Sequence, residues 1–268
     1  MRYIQTDKFM ITIHPQAIVS PKARIADNVR IGAFTVIDDD VEIGESSDIR
    51  AHVVLSNGTR IGKESIIYPG AVIGSEPQDL KFKGEPTLAV IGDRTVIREC
   101  VTVNRGTSHS GKAIVGNDCL LMAYSHVAHD CIVGNHVILS NLTQLAGHVT
   151  IGDWAILGGV VKVVQFCTVG AHAMVGADVK VTKDVPPYTL IGRDPARIES
   201  INKVGLRRRG FTNETIQAID DFFTMVYFST YNVSDGIAAY CDTVPEPCPE
   251  VQQCIEFIRN SKKGTIIA

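Results

Sequence analysis

Val127-Ala-His-Asp-Cys-Ile132 is one six-residue unit of a repeat that runs through most of this chain. Counted in steps of six from residue 13 to residue 181, 26 of 29 positions hold Ile, Val or Leu. A small residue commonly follows four positions later, as Cys131 follows Val127. An α-helix of about 3.6 residues per turn cannot keep this phase, whereas hexapeptide repeats are typical of a parallel β-helix. We therefore expect short strands to stack as a triangular prism of about 18 residues per turn, with the aliphatic side chains inside.

Two segments interrupt the repeat without shifting its phase. Residues 76–89 take the place of two units, and residues 108–113 take the place of one. The in-phase positions that are not aliphatic fall in these segments, and they are Asp79, Glu85 and His109. A stacked coil can expel such a segment as a loop at one of its corners, and exposed loops often carry function.

The repeat ends before residue 190, and a helical pattern follows it. Pro186 and Pro187 end the ladder because proline has no N–H to donate. Apolar residues then recur at helical spacing after Thr212, and Pro249 suits the first turn of a last helix, with a shorter helix between them. The sequence predicts a mainly β domain, a parallel β-helix over residues 1–189, followed by a small α-helical domain over residues 190–268.

Composition excludes several classes of protein. A net charge of −3 over 268 residues gives no field that would attract nucleic acid. No apolar run approaches the roughly 18 residues of a membrane span, and the first ten residues lack the apolar centre of a secretory signal, so stable membrane insertion is not expected. The seven cysteines include no Cys-x-x-Cys pair, which predicts reduced thiols in the cytoplasm.

Polar residues line up in one column of the predicted prism. Gly147 follows His129 by one turn of the repeat, Gln165 follows by two, and Asp130 lies one turn below His148. This column offers an imidazole base, a glycine N–H that an oxyanion can approach closely, and a carboxylate beside the base. Those groups suit acyl transfer to a hydroxyl. The alternative is that polar side chains on the outside of a β-helix are simply solvated.

A metal site is a further alternative, because hexapeptide-repeat γ-class carbonic anhydrases bind zinc through three histidines. His126 and His129 leave one unit on opposite sides of a corner, so the pattern disfavours chelation within a chain and we expect no metal. The remaining histidines are interpreted as surface residues: His14, His52, His109, His136 and His172. The basic run at 207–209 is interpreted either as a solvated surface or as a contact for a phosphate or an acidic partner.

Several motifs follow one another in a fixed order along nearly the whole chain: Gln78-Asp79-Leu80-Lys81, Gly84-Glu85-Pro86-Thr87, Asn104-Arg105-Gly106-Thr107, His126-Val-Ala-His129-Asp130-Cys131, Leu145-Ala-Gly147-His148, Gln165-Phe166-Cys167, Asp184-Val-Pro-Pro-Tyr188 and Gly205-Leu-Arg-Arg-Arg-Gly210-Phe211. This set resembles the UDP-N-acetylglucosamine O-acyltransferase family (LpxA) of lipid A biosynthesis. The resemblance implies a left-handed β-helix and a cytoplasmic homotrimer with active sites in clefts between neighbouring subunits. It also implies transfer of a 3-hydroxyacyl chain from acyl carrier protein to the glucosamine 3-hydroxyl of UDP-N-acetylglucosamine, without a resident cofactor.

The resemblance assigns roles to individual residues. His129 matches the general base and Gly147 the oxyanion-hole amide, while Ala177 matches the position that sets acyl-chain length. The positions that match substrate contacts are Gln78, Asp79, Leu80, Lys81, His126, His148, Gln165, Asn202 and Arg208. The family usually has His at the place of Val164 and an acidic residue at the place of Val204. The alternatives are a related N-acyltransferase that uses a 3-amino acceptor or resembles LpxD, and a non-catalytic paralogue that binds a nucleotide sugar or carrier protein. A third alternative is a zinc lyase like the γ-class carbonic anhydrases.

Overall fold

The computed structural model describes residues 10–268. The first strands are β1 (Thr12–Ile13), β2 (Ile18–Val19), β3 (Arg24–Ile25), β4 (Arg30–Ile31), β5 (Val36–Ile37), β6 (Val41–Ile43), β7 (Asp48–Ile49), β8 (Val54–Leu55) and β9 (Thr59–Ile61). They are followed by β10 (Ile66–Ile67), β11 (Val72–Ser75), β12 (Leu88–Ile91), β13 (Val96–Ile97), β14 (Thr102–Asn104), β15 (Lys112–Val115), β16 (Leu120–Leu121), β17 (His126–Val127) and β18 (Ile132–Val133). The last strands are β19 (Ile138–Leu139), β20 (Gln144–Leu145), β21 (Thr150–Ile151), β22 (Ile156–Leu157), β23 (Lys162–Val163), β24 (Thr168–Val169), β25 (Met174–Val175), β26 (Lys180–Val181), β27 (Thr189–Gly192) and β28 (Arg197–Ile201).

The strands form three sheets, which are the sides of a triangular prism. Side A contains β1 and every third strand up to β25, followed by β27 and β28. Side B runs from β2 to β26 and side C from β3 to β24, again by every third strand. Val127 pairs in parallel with Leu145, one turn of the repeat later. The predicted left-handed hexapeptide β-helix is confirmed.

The in-phase aliphatic side chains fill the interior of the prism. Ile49, Leu139 and Leu145, for example, are fully buried. Most hydroxyls at the small inward positions bind backbone, as the Thr35 Oγ1 donates to the Arg50 carbonyl at 2.6 Å, whereas the Ser125 hydroxyl has no partner within residues 10–268. Cysteines predicted at the small inward positions are buried there, namely Cys119, Cys131 and Cys167. The repeat therefore specifies a narrow core that only small and medium-sized side chains can fill.

Both long loops leave the prism at the corner between sides B and C, named corner BC. They occupy residues 76–87 and 105–111, because β12 begins at Leu88 and β15 begins at Lys112. The ranges expected from the repeat, 76–89 and 108–113, differ from these bounds. The difference arises because Leu88, after the first loop, pairs with Lys112, after the second loop. The spacing of the repeat does not show this pairing.

The chain after the repeat adds four helices: α1 (Lys203–Arg208), α2 (Asn213–Tyr227), α3 (Val233–Thr243) and α4 (Pro249–Asn260). The Thr212 hydroxyl accepts from the Thr215 N–H and caps α2, while Pro249 begins α4, as the sequence predicted. The expected boundary at 189/190 falls within β27, which pairs with β25 of side A. None of the helices described over residues 10–268 is long and apolar enough to cross a membrane.

A ladder of rings connects the helical part to the corner between sides C and A, named corner CA. His136 stacks on Trp154 with ring centroids 4.0 Å apart. Trp154 is followed by His172 and then by Tyr188, with nearly parallel rings throughout. Arg209, which follows α1, lies over the Trp154 ring at 5.4 Å. The prediction that His136 and His172 are plain surface residues is therefore wrong, whereas His14 and His52 are exposed as expected.

Candidate active site

His129 and Asp130 lie at corner BC, between β17 and β18. The Asp130 backbone turns the chain with a φ of 60°, and its side chain is 0% exposed. Its Oδ2 lies 2.8 Å from His129 Nδ1. Because an ionised carboxylate only accepts hydrogen bonds, Nδ1 carries the proton and Nε2 keeps its lone pair. Within residues 10–268, His129 Nε2 has no hydrogen-bond partner, so it is available to a substrate.

The loop at 105–111 holds the Asp130 carboxylate in place. The Thr107 N–H donates to Oδ1 at 3.0 Å and its hydroxyl donates to Oδ2 at 2.7 Å. The Ser110 hydroxyl also donates to Oδ1. Burial raises the pKa of the Asp130 carboxyl, but the hydrogen bonds from Ser110, His129 and Thr107 outweigh it and hold this pKa well below its usual range. The carboxylate is therefore ionised throughout the neutral range.

Gly147 lies one turn above His129 and leaves room for the imidazole. A Cβ built on Gly147 would lie 2.5 Å from His129 Cε1 and 2.6 Å from Nε2. No acceptor for the Gly147 N–H is found in residues 10–268. The absence of a side chain therefore lets the imidazole pack against the backbone beside an N–H that is free to bind a developing negative charge.

His148 lies at corner BC, one turn of the repeat above Asp130, and packs between aromatic rings. Its ring stacks on Phe166 with centroids 4.5 Å apart and an interplanar angle of 8°. His129 meets it edge-on at 5.0 Å, and His109 does so at 4.8 Å. Burial lowers the pKa of His148, while the nearby Asp130 carboxylate, with an oxygen 3.8 Å from Nδ1, opposes that effect. Three histidines thus form a row along the corner.

A cavity of about 270 Å³ opens between the two loops and this row. Its lining residues are Asp79, Lys81, Phe82, Glu85, Thr107, Ser108, His109, His148 and Phe166. All three in-phase positions that break the aliphatic rule therefore line one cavity. The prediction that His109 is an isolated surface residue is wrong: its side chain is exposed, but toward this cavity.

Arg105 holds the loop at 76–87 in position. Its guanidinium lies 5.1 Å from the centroid of the Phe82 ring, and Nη2 lies 3.3 Å from Glu76 Oε1. Within the loop, the Lys81 N–H donates to Asp79 Oδ1 at 3.0 Å. The loop thus presents two carboxylates, Asp79 and Glu85, and the Lys81 ammonium group to the cavity.

The other predicted substrate contacts near corner BC are less constrained. His126 lies on side B, and its Nδ1 is 2.7 Å from Thr102 Oγ1; burial lowers its pKa. Gln165 is exposed in the same column as His129 and Gly147. In the loop at 76–87, Gln78 and Leu80 are exposed and do not line the cavity.

Three predicted site residues lie elsewhere on the chain. Ala177 is exposed at the corner between sides A and B, named corner AB. Asn202 caps α1, accepting from the Gly205 N–H at 3.1 Å and donating to the His172 carbonyl at 3.0 Å, near corner CA. Arg208 ends α1 and is exposed. A single chain therefore does not bring these residues to His129.

The dyad and His148 also form a cluster that could ligate a metal. The potential ligand atoms of His129, Asp130 and His148 lie within 4.8 Å of one another. Both carboxylate oxygens already accept two hydrogen bonds each from protein groups. A cation would have to displace some of these bonds, and the predicted absence of a metal stays a prediction.

Comparison with known proteins places this geometry in a family. Residues 184–266 match the family model described as UDP N-acetylglucosamine O-acyltransferase, domain 2, and residues 22–57 and 112–143 match the bacterial transferase hexapeptide model. The chain is 51% identical over 256 residues to the acyl-[acyl-carrier-protein]–UDP-N-acetylglucosamine O-acyltransferase of Chlorobaculum parvum, covering 95% of this chain and 97% of that protein. It is 45% identical over 258 residues to the enzyme of the same name from Saccharophagus degradans, covering 96% and 100%.

Solved structures agree with the sequence comparison. LpxA of Bacteroides fragilis superposes with a TM-score of 0.93 at 46% identity, covering 95% of this chain and 100% of that one. LpxA of Acinetobacter baumannii gives 0.91 at 37% identity, with 95% and 99% covered. The chain belongs to the family of acyl-[acyl-carrier-protein]–UDP-N-acetylglucosamine O-acyltransferases.

Proposed function

We propose that His129 is the general base with which this acyltransferase moves an acyl chain from acyl carrier protein to UDP-N-acetylglucosamine. The observation that carries this proposal is the pairing of His129 Nδ1 with a fully buried carboxylate, beside the free Gly147 N–H. The donor is a 3-hydroxyacyl thioester and the acceptor is the glucosamine 3-hydroxyl. The thiol belongs to the phosphopantetheine of the carrier, so no resident cofactor is needed.

The reaction follows from the two free groups at corner BC. His129 Nε2 takes the proton of the sugar 3-hydroxyl as its oxygen attacks the thioester carbonyl carbon. The carbonyl oxygen becomes an oxyanion, which the Gly147 N–H stabilises. When the C–S bond breaks, His129 returns the proton to the leaving sulfur. Asp130 fixes the imidazole tautomer and stabilises the imidazolium between the two transfers.

The cavity beside the dyad supports binding of the acceptor. Asp79 and Lys81 at its wall offer an acceptor and a donor of hydrogen bonds, and His148 lies between the cavity and His129. His126 lies on side B and Gln165 lies in the column of His129 and Gly147, and these residues would contact the acyl thioester. Gln78 and Leu80 extend the loop at 76–87 toward solvent and would contact the substrate only as the cleft closes around it.

A homotrimer completes the site in this proposal. One chain spreads the predicted contacts over corners BC, AB and CA, so corners of neighbouring chains must meet to join His129 with Ala177, Asn202 and Arg208. Side A carries outward apolar residues that are only half-buried in the single chain: Ile66, Val96, Leu120, Ile138, Ile156 and Met174. Packing of side A against the neighbouring chain beside corner BC would remove this apolar stripe from water, and it would bring the flanking corners AB and CA toward His129. We expect the mass of the particle in solution to be three times that of the chain.

Acyl carrier protein and the cell compartment belong to the same proposal. Arg207 and Arg208 are exposed at the end of α1, where they would attract an acidic carrier or a phosphate. The seven cysteines are all free, in keeping with a reducing cytoplasm.

Replacing His129 tests the mechanism most directly. His129→Ala is expected to lower turnover by ~10²–10⁴, the usual contribution of a general base, without unfolding the protein, because the ring lies outside the prism core. Product formation is measured by mass spectrometry with 3-hydroxyacyl carriers of several lengths and with both the 3-hydroxy and the 3-amino UDP-sugar. His52→Ala, an exposed histidine at corner AB, is the control. A folded His129→Ala enzyme with the control's turnover would refute the assignment.

A further inference from the structure

His109 sits inside the active-site cavity rather than on an open surface. Its ring meets His148 edge-on, with centroids 4.8 Å apart and an interplanar angle of 85°. Within residues 10–268, neither ring nitrogen of His109 has a hydrogen-bond partner. An oriented imidazole with two unpaired nitrogens in a binding cavity can still form hydrogen bonds with a bound molecule.

The loop that carries His109 is tied to the catalytic carboxylate. The His109 N–H donates to Thr107 Oγ1 at 3.2 Å, and the same hydroxyl donates to Asp130 Oδ2 at 2.7 Å. Ser110, the next residue along the chain, also donates to Asp130. Because Thr107 and Ser110, which flank the segment that holds His109, both bind the partner of His129, the loop holds His109 at a fixed place relative to the dyad.

The cavity has the chemistry of a sugar site. Its wall contains two carboxylates, one ammonium group, two imidazoles and two hydroxyls, together with the rings of Phe82 and Phe166. Sugar hydroxyls donate and accept at once, so several of them can pair with such groups, whereas a 3-hydroxyacyl chain carries one hydroxyl and is otherwise apolar. A volume of about 270 Å³ is near the lower limit for ligand cavities, as suits a single sugar ring.

We propose that His109 binds a hydroxyl group of the acceptor's glucosamine other than the reacting 3-hydroxyl, and so helps to select the sugar. This inference rests on the proposed function only in that it takes corner BC as the active site. The 3-hydroxyl is directed at His129 and the 2-position carries the acetamido group. The 4-hydroxyl and the 6-hydroxyl are therefore the available partners.

The experiment combines variants of His109 with deoxy substrates. His109→Ala and His109→Phe are assayed with UDP-N-acetylglucosamine and with its 4-deoxy and 6-deoxy analogues. With the natural sugar, both variants should raise the KM for the sugar by about 3- to 10-fold, the usual worth of one hydrogen bond, while kcat and its pH profile change little. His109→Gln keeps a donor and an acceptor and should restore part of the affinity.

The deoxy analogues decide the assignment. With the analogue that lacks the recognised hydroxyl, His109→Ala and the unaltered enzyme should have the same KM, because the hydrogen bond is absent from both complexes. His52→Ala should leave every KM unchanged. If His109→Phe behaves like the unaltered enzyme, or if His109→Ala raises KM equally for all three sugars, His109 only packs against His148 and the inference is overturned.

This result is independent of the mechanism at His129. An inactive His129→Ala enzyme together with unchanged His109 variants would overturn the sugar contact alone. An active His129→Ala enzyme would overturn the proposed catalytic mechanism, whatever the His109 variants do.

Discussion

Corners BC and CA are built from the same repeat position, yet corner BC holds the proposed reaction site and corner CA joins the prism to the helical part. Both stack rings along the prism: His148 on Phe166 at corner BC, and His136 on Trp154 at corner CA. At both corners the residue at the turn has a φ near 60°. One such residue is an aspartate at each corner, Asp130 at corner BC and Asp118 at corner CA. A stacked imidazole at a corner is therefore not by itself a sign of catalysis.

The difference lies in what surrounds the rings. At corner BC the aspartate is fully buried under an expelled loop, and the N–H of Gly147, one turn above, has no acceptor within residues 10–268. At corner CA, Asp118 is only half-buried and pairs with Arg94 at 2.7 Å, and the ladder ends against the helical part. The buried carboxylate and the expelled loop are therefore the features that distinguish the proposed reaction site from the other corner.

The largest expected effect comes from the two aspartates. Asp130→Asn should lower kcat by ~10²–10⁴, because an amide can donate to Nδ1 and so favour the tautomer that lacks a free lone pair at Nε2. Asp118→Asn, the same change at the same repeat position of corner CA, should leave kcat within a factor of about two. Steady-state assays of both folded variants make the comparison, and equal losses would mean that Asp130 acts through stability alone.

The second effect compares two glycines at equivalent repeat positions. A Cβ on Gly147 would lie 2.5 Å from His129 Cε1, whereas one on Gly159 at corner AB would meet only the Asn141 carbonyl at 3.5 Å. Gly147→Ala should displace the imidazole and lower kcat by ~10², a typical result of misplacing a catalytic group by about 1 Å. Gly159→Ala should be nearly neutral. Retained activity in Gly147→Ala would show that His129 has another productive position.

The repeat made the prism predictable, and its phase also located much of the site. The column of His129, Gly147 and Gln165 follows from counting alone, because a parallel β-helix stacks equivalent positions. The partners Thr107 and Ser110 could not be found that way, since an expelled loop follows its own contacts rather than the repeat. His109 was wrongly predicted to be isolated. A polar residue at an aliphatic position of the repeat indicates that the segment leaves the prism, but the sequence does not show which cavity the residue then lines.

Other assignments depended on the family and not on the repeat. Ala177 and Asn202 were predicted from motifs, and in the single chain they lie at corners other than corner BC. Counting the repeat could not have predicted their place in the site, because it contains no information on contacts between chains. Val164 is half-buried and packs against the core beside Gln165, so its contact with a substrate stays a prediction.

The third effect tests the joint at corner CA. Trp154 touches His136 on one side and His172 on the other, with Arg209 above it. Trp154→Ala should lower the free energy of unfolding by about 1–3 kcal/mol, less than for a fully buried ring because the side chain is 37% exposed. Thermal unfolding gives the change, and Phe166→Ala at corner BC is the comparison. Phe166→Ala should alter activity more than stability, and the opposite pattern in the two variants would contradict this division.

The smallest effect is a pH dependence of stability that belongs to corner CA. Burial, reinforced by the facing Arg209 and opposed by Asp153, lowers the pKa of His172 to about 4. The folded state therefore favours the neutral ring, and below its ordinary pKa of about 6.5 the unfolded chain binds a proton that the folded chain does not. The stability that this neutral ring contributes is complete above about pH 6.5 and is lost as the pH falls toward 4.

His172→Asn removes the group that binds this proton, so the stability of the variant should decrease less as the pH falls. Between pH 7 and pH 5 the melting temperature of the variant should decrease by a few degrees less than that of the unaltered protein. His126 and His148, whose pKa values are also lowered by burial, contribute the same sign in both proteins and do not affect the difference. The exposed His52, replaced by Asn, serves as the control and should leave the slope unchanged. If the melting temperatures of His172→Asn and the unaltered protein decrease equally between pH 7 and pH 5, the ladder at corner CA accommodates a protonated ring. Its packing alone would then not keep His172 neutral.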